Sequence, residues 1–162
     1  MKVIIFGGTG TIGQAVVREL SSRHQVISVG KNSGDHHCDI TDIQRVRELL
    51  KEIGEFDSLI STVGHVHFGI FEKMTRDLYE IGLQDKLMGQ VNLVLIGREF
   101  IKDRGSFTLT SGVLAHDPIA SGTSASMVNG AIESFVRAAA IEMPRGLRIN
   151  AVSPTVLVES MP

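Results

Sequence analysis

Short apolar runs alternate with longer amphipathic stretches along this chain. Residues 3–6 form an uninterrupted apolar run rich in β-branched side chains, which is typical of a strand buried on both faces of a parallel sheet. After a glycine-rich break, apolar residues recur every four positions and predict a helix that begins near Thr11. Further strands are predicted over residues 25–29, 57–62, 106–111 and 147–152.

Three more stretches predict helices. Thr41 can cap the first, in which apolar residues recur at positions 43, 46, 50 and 53. The other two are long, over residues 79–102 and 122–143, and Pro144 ends the second. Because strands that alternate with helices indicate βαβ units, we predict an α/β fold: a doubly wound parallel sheet with helices on both faces, in a single domain over residues 1–162.

Composition narrows the classes of partner and compartment. The formal net charge of −2 offers no electrostatic basis for binding nucleic acid, and no apolar run approaches the roughly 20 residues of a membrane helix. The single cysteine, Cys38, excludes an internal disulfide and fits a reducing compartment, so we expect a cytoplasmic protein. His36, His37, Cys38 and Asp39 are metal-ligand types, but neighbours on a strand point to opposite faces, so we predict no metal site.

A glycine loop between the first strand and the first helix carries the clearest chemical signal. Glycines spaced by three residues allow a tight turn and a close backbone approach, and the following helix N-terminus favours an anion. This arrangement predicts a dinucleotide pyrophosphate site in a Rossmann-type fold. The residues assigned to it are Gly7, Thr9, Gly10, Thr11, Ile12 and Gly13.

The end of the second strand bears on which dinucleotide binds. An acid there usually holds the adenosine ribose of NAD, but this strand is followed by Lys31 and Asn32. A lysine attracts a 2′-phosphate, so these two residues favour NADP, with NAD as the alternative. The other interpretation of Lys31 is a solvated loop lysine without a ligand.

Several short motifs together resemble the short-chain dehydrogenases/reductases across nearly the whole chain. Besides the glycine loop, Asp39-Ile40 is similar to the pair that the family places against adenine, and Ser61-Thr62-Val63-Gly64 stands where the family carries an Asn-Asn-Ala-Gly strand end. Thr110-Ser111 matches the strand end with the catalytic serine, and residues 148–154, which end at Pro154, resemble the segment beside the nicotinamide. In the family, one more strand of the sheet follows this segment, so the resemblance implies that this strand is missing from this chain.

The resemblance fails at the catalytic residues. The family uses a tyrosine and, four residues later, a lysine; the alignment puts Ala125 and Asn129 at these positions. Lys86 stands at the family's asparagine, so lysine and asparagine have exchanged places. This exchange implies a pocket that keeps one cation and one amide, in which Ser111 orients a carbonyl oxygen and Lys86 assists proton transfer. The alternative is that Lys86 is a solvated helix residue.

His116 is a second candidate proton donor, because the loop after Ser111 borders the substrate pocket in the resembling family. A solvent-exposed loop histidine is the other interpretation. Small and apolar residues around both long helices predict a homodimer through this pair, as in the family, although the monomer itself could cover them.

Two functions remain open. One is an NADP-dependent oxidoreductase that acts on an unknown small-molecule carbonyl or alcohol with a rearranged catalytic site. The other is a catalytically inactive module that binds a dinucleotide as a sensor or scaffold. The absent tyrosine favours the second, and the cofactor motifs are compatible with both.

Overall fold

Residues 1–155 and residue 157 are described by a computed structural model, in which six strands form one parallel sheet. The order across the sheet is β3-β2-β1-β4-β5-β6. This arrangement confirms the predicted α/β fold. The strands are β1 (Lys2–Phe6), β2 (Gln25–Gly30), β3 (His36–His37), β4 (Phe56–Ser61), β5 (Ile101–Thr110) and β6 (Arg148–Val152).

The first two helices occupy the stretches whose apolar stripes predict them. The last helix runs across most of the second long predicted stretch, and Pro144 lies two residues beyond its end. The α-helices of the described region are α1 (Thr11–Ser21), α2 (Ile43–Ile53), α3 (Arg76–Gly82), α4 (Gly89–Gly97) and α5 (Thr123–Glu142), and a π-helical turn (Leu83–Met88) joins α3 to α4.

Three local predictions are wrong. The stretch predicted over 79–102 ends as a helix at Gly97, because the chain turns there and enters β5 at Ile101. Asp42 rather than Thr41 caps α2, and its carboxylate accepts a hydrogen bond from Arg45 N at 3.0 Å. The two-residue β3 was not predicted, since so short a strand leaves no periodic pattern.

The strand order places a crevice at one edge of the sheet. β1 pairs with β2 on one side and with β4 on the other, so the chain order reverses at β1. Loops that follow β1 and β4 therefore diverge to opposite faces and leave an opening at the carboxyl ends of the strands, where open α/β sheets bind ligands.

Within the described residues, no helix has the length and apolar character to cross a bilayer.

Candidate functional site

The loop after β1 is built from backbone that side chains would obstruct. A Cβ on Gly13 would overlap the Gly7 carbonyl oxygen, and one on Gly7, at φ +83°, would lie 2.6 Å from Thr62 Oγ1. Gly10 stands at the N-cap of α1, and no described side chain caps that helix. The amides of its first turn therefore face an open approach, as an anion site requires. Thr9, Gly10, Thr11 and Ile12 line a groove along this helix.

A cavity of about 300 Å³ adjoins the loop at the carboxyl ends of β1, β2 and β4. Its walls bring together six of the predicted cofactor residues from four separate segments, whereas Asn32 is exposed outside it. Asp85 also lines this cavity and accepts a hydrogen bond from His65 N at 2.9 Å, a contact that the sequence did not indicate. The six predicted residues are Gly7, Lys31, Asp39, Ile40, Val63 and Gly64.

Lys31 and Asp39 form an ion pair at the mouth of this cavity. Lys31 Nζ lies 2.6 Å from Asp39 Oδ2. The hydrogen bond from Lys31, with two more from Thr41, lowers the pKa of Asp39 to about 2. The same contact raises the pKa of Lys31 above 10.5. The lysine side chain is two-thirds exposed, so its ammonium group remains accessible to solvent although it is paired with Asp39.

The structure joins Lys86 directly to Asn129. Lys86 Nζ donates to Asn129 Oδ1 at 2.7 Å and to the Ser111 carbonyl oxygen at 3.0 Å. A side chain on Gly64, at φ +132°, would overlap the Lys86 stem, so the glycine leaves room for the lysine to pass. No described carboxylate forms an ion pair with this ammonium, and burial lowers its pKa to about 8.

The Ser111 side chain is buried and does not line the cavity. It is 1% exposed, and its hydroxyl lies 2.9 Å from Glu133 Oε1 and 3.1 Å from the Asn129 carbonyl oxygen. A hydroxyl has one proton to donate, so it serves one of these acceptors at a time. Ala125, at the position of the family tyrosine, is 2% exposed. The expected carbonyl-orienting hydroxyl is therefore enclosed by protein.

Glu133 links the remaining candidates and was missed from the sequence. Its Oε2 lies 2.7 Å from His116 Nε2, while its Oε1 accepts from Ser111. Burial alone would raise the pKa of Glu133, but hydrogen bonds from Ser111, His116 and Ser153 outweigh it and lower the pKa. Its place four residues after Asn129, on the same face of α5, is the signal that could have found it.

The segment after β6 reaches the same cluster through its backbone. The Pro154 carbonyl oxygen accepts from Val113 N at 2.9 Å, and the Val152 carbonyl oxygen accepts from Ser111 N at 2.9 Å. These bonds hold residues 111–113 against the end of β6. Thr62, directly after β4, is bonded to the end of β1, because its hydroxyl donates to the Phe6 carbonyl oxygen at 3.2 Å. Among the described residues, no three His, Cys, Asp or Glu side chains are grouped as metal ligands would be.

The cavity and the glycine loop fit a dinucleotide. No described side chain caps the amides of the α1 N-terminus, where a pyrophosphate would bind, Asp39-Ile40 and Val63 line the cavity, and Lys31 adds a cation to its lining. The cluster of Lys86, Asn129, Ser111 and Glu133 lies farther along the same edge of the sheet, because it is built from residues that follow β4 and β5.

Comparison with known proteins places the chain in a family. Residues 11–161 match a family model described as enoyl-(acyl carrier protein) reductase. The chain is 27% identical over 110 residues to glucose and ribitol dehydrogenase homolog 2 of Arabidopsis thaliana, a match that spans 67% of this chain but only 38% of the plant protein.

Solved structures agree with this match. The crystal structure of protein lin1944 from Listeria innocua superposes with a TM-score of 0.97 at 44% identity, over 99% of this chain and 80% of that protein. A small-chain dehydrogenase crystallised in complex with NADPH has a TM-score of 0.88 at 30% identity, over 95% of this chain and 69% of that one. The chain belongs to the short-chain dehydrogenase/reductase family.

Proposed function

We propose that this chain is the nucleotide-binding domain of an NADP-dependent oxidoreductase that acts on a small-molecule carbonyl or alcohol. The observation that carries the proposal is the contact of Lys86 Nζ with Asn129 Oδ1, which places one cation and one amide together, next in the chain to Asp85 of the cavity wall. The solved relative that holds NADPH supports the choice of dinucleotide. The single cysteine supports a cytoplasmic setting.

The first role of the chain is to bind and orient the dinucleotide. The first-turn amides of α1 would receive the pyrophosphate, and Lys31 would exchange part of its contact with Asp39 for the 2′-phosphate. NADPH, when bound, supplies a hydride to a carbonyl carbon.

The second role is to supply the proton that reduction of a carbonyl oxygen requires. Lys86 is suited to this because its pKa of about 8 lies close to neutral pH, where a group both holds and releases a proton readily. Its two acceptors are neutral oxygens, so the ammonium is oriented without being trapped by a counter-charge. His116, held by Glu133, is the alternative donor.

Titration of the purified protein with NADPH and NADH, followed by nicotinamide fluorescence, tests the cofactor assignment. We expect NADPH to bind about tenfold more tightly, because a single added charge contact is worth about 1.4 kcal/mol. Equal or absent binding of the two dinucleotides would contradict it. A carbonyl panel with NADPH oxidation then tests turnover, with Lys86→Ala expected to lose about 100-fold or more.

A second function, dinucleotide binding without turnover, is favoured by the enclosure of Ser111. A hydroxyl that is 1% exposed and donates to Glu133 or Asn129 is not aimed at a substrate, and Ala125 offers no phenol. Tight NADPH binding with no oxidation across the whole carbonyl panel would select this function over the first.

We further propose that the chain forms a homodimer through α4 and α5. Leu95, Met127 and Ile141 are exposed apolar side chains on these helices. Arg98, directly after α4, and Glu142 of α5 line a groove between these helices together with the exposed Leu95. An interface between two copies related by a two-fold axis uses the same surface of both. Sedimentation of the purified protein checks the assembly: a monomer at micromolar concentration would contradict it.

A further inference from the structure

Gln90 is a polar side chain in the middle of the core. It lies in the first turn of α4 and is 0% exposed. An amide moved from water to an apolar interior without partners costs about 2–7 kcal/mol, so a buried glutamine must have hydrogen-bond partners. Gln90 has three hydrogen bonds. Nε2 donates to the carbonyl oxygens of Lys86 at 3.1 Å and Thr110 at 3.0 Å, and Oε1 accepts from Thr110 N at 2.9 Å.

These three bonds connect the two segments that form the Lys86 contact. Lys86 lies in the π-helical turn Leu83–Met88, and Thr110 is the last residue of β5. Ser111, the next residue, accepts the hydrogen bond from Lys86 Nζ. Gln90 therefore links the backbone of Lys86 to Thr110 at the end of β5. The lysine side chain itself bonds to the carbonyl oxygen of the next residue, Ser111.

The π-helical turn explains why such a tie is useful. A π-helical turn departs from the regular i→i+4 ladder, and such turns frequently occur at functional sites. Here the Lys86 carbonyl oxygen accepts from the side chain of the residue four positions later. Because the carboxamide of Gln90 also bonds to β5, it fixes the distance between the irregular turn and the sheet.

We propose that Gln90 is a positioning residue that holds the turn carrying Lys86 against the end of β5, and so keeps the lysine amine in contact with Asn129. The part of this proposal that concerns catalysis rests on the proposed function. The part that concerns the position of the amine does not, because it can be measured without a substrate.

A purely structural role for Gln90 makes a different prediction. A residue that only fills and satisfies the core would lower the free energy of unfolding when replaced, and it would leave the environment of the Lys86 amine unchanged. A positioning residue changes that environment, because the released turn lets water reach the ammonium group. Besides Ser111 and Asn129, the groups near this amine that can affect it are Asp85, its neighbour in the chain, and Glu133, which binds Ser111.

The test is the titration of Lys86 by NMR in protein labelled with ¹³C at lysine Cε, with the signal assigned by its loss in Lys86→Met. Gln90→Met keeps the length of the side chain and removes all three bonds. Val94→Ala is the matched control, since Val94 is 2% exposed on the same helix and its truncation weakens the core without touching Lys86.

We expect the titration midpoint of Lys86 in Gln90→Met to move upward, from about 8 towards 10.5, by at least about half a unit, and to stay in place in Val94→Ala. An unchanged midpoint in Gln90→Met, or an equal shift in both variants, would overturn the proposal. If Gln90→Met does not fold, Gln90→Asn keeps the carboxamide but is one methylene too short to span both segments, and the same shift is expected. NADPH oxidation by the wild type is measured separately, so its absence would contradict the proposed function and not this assignment.

Discussion

Replacement of Lys86 by methionine gives a direct measure of how strongly the fold desolvates this amine. Burial lowers the pKa of Lys86 from 10.5 in the unfolded chain to about 8 in the folded one. Between these two values the unfolded chain holds a proton that the folded chain has lost. The free energy of unfolding of the wild type therefore rises with pH in this window, whereas Lys86→Met has no such contribution.

The size of the effect follows from the same shift. Each pH unit between the two pKa values is worth about 1.4 kcal/mol, so the difference between wild type and variant should grow by up to about 1.4 kcal/mol from pH 7 to pH 9. Because the lysine side chain is half-buried and solvent reaches part of it, we expect about 1 kcal/mol. Bonds that methionine cannot make to Asn129 and Ser111 add an offset that is the same at every pH and cancels in the comparison.

Urea unfolding of both proteins at pH 7, 8 and 9 measures this difference, with the two unfolding curves compared at each pH. All other side chains are the same in both proteins, so their contributions also cancel. A difference that stays constant across the three pH values would refute the reasoning, because it would mean that the amine is as well solvated in the folded state as in the unfolded chain.

Three other substitutions, one of them with a matched control variant, test separate parts of the site. Lys31→Ala should weaken NADPH binding about tenfold and leave NADH binding within about twofold, as measured by fluorescence titration; equal losses for both would contradict a 2′-phosphate contact. Gly13→Ala should abolish NADPH binding because its Cβ would overlap the Gly7 carbonyl oxygen, whereas Gly130→Ala, in α5 with only the helix's own backbone and chain neighbours near the added Cβ, should bind normally and gain up to about 1 kcal/mol of stability. Glu133 has a lowered pKa, so its contribution to stability is present at neutral pH and is lost as the pH falls through its folded pKa; the stability of Glu133→Gln should therefore approach that of the wild type in acid, and a gap that persists there would count against the hydrogen bonds as the cause.

The sequence predicted those parts of the fold that depend on the pattern of residues within a single element. The apolar run of β1, the glycine loop and the apolar stripe of α2 each depend on residues within one element, so their assignment needs no knowledge of distant contacts. The helix predicted to reach residue 102 failed for the same reason: Phe100 and Ile101 continue an apolar pattern, but Ile101 pairs with Phe56 of β4, a contact that no local period reveals.

The site divides in the same way. The cofactor residues follow strands and were predicted from their positions, whereas Gln90 and Glu133 act through residues 20 and 22 positions away. Such contacts depend on how α4 and α5 lie on the sheet. The pairing of Lys86 with Asn129 was suggested only because the family resemblance puts the two positions in one pocket.

The hydrogen bond between Lys86 and Asn129 also limits how this pocket can change by mutation. Restoring asparagine at 86 alone would leave two amides and no cation, and restoring lysine at 129 alone would add a second ammonium group to the pocket of Lys86, where like charges repel. Each single substitution removes the hydrogen bond between positions 86 and 129 or replaces it with repulsion. The effects of the two substitutions on stability are therefore not additive. The exchanged arrangement and the family's usual one are therefore separated by intermediates that are worse than both, and the chain should retain whichever arrangement it has.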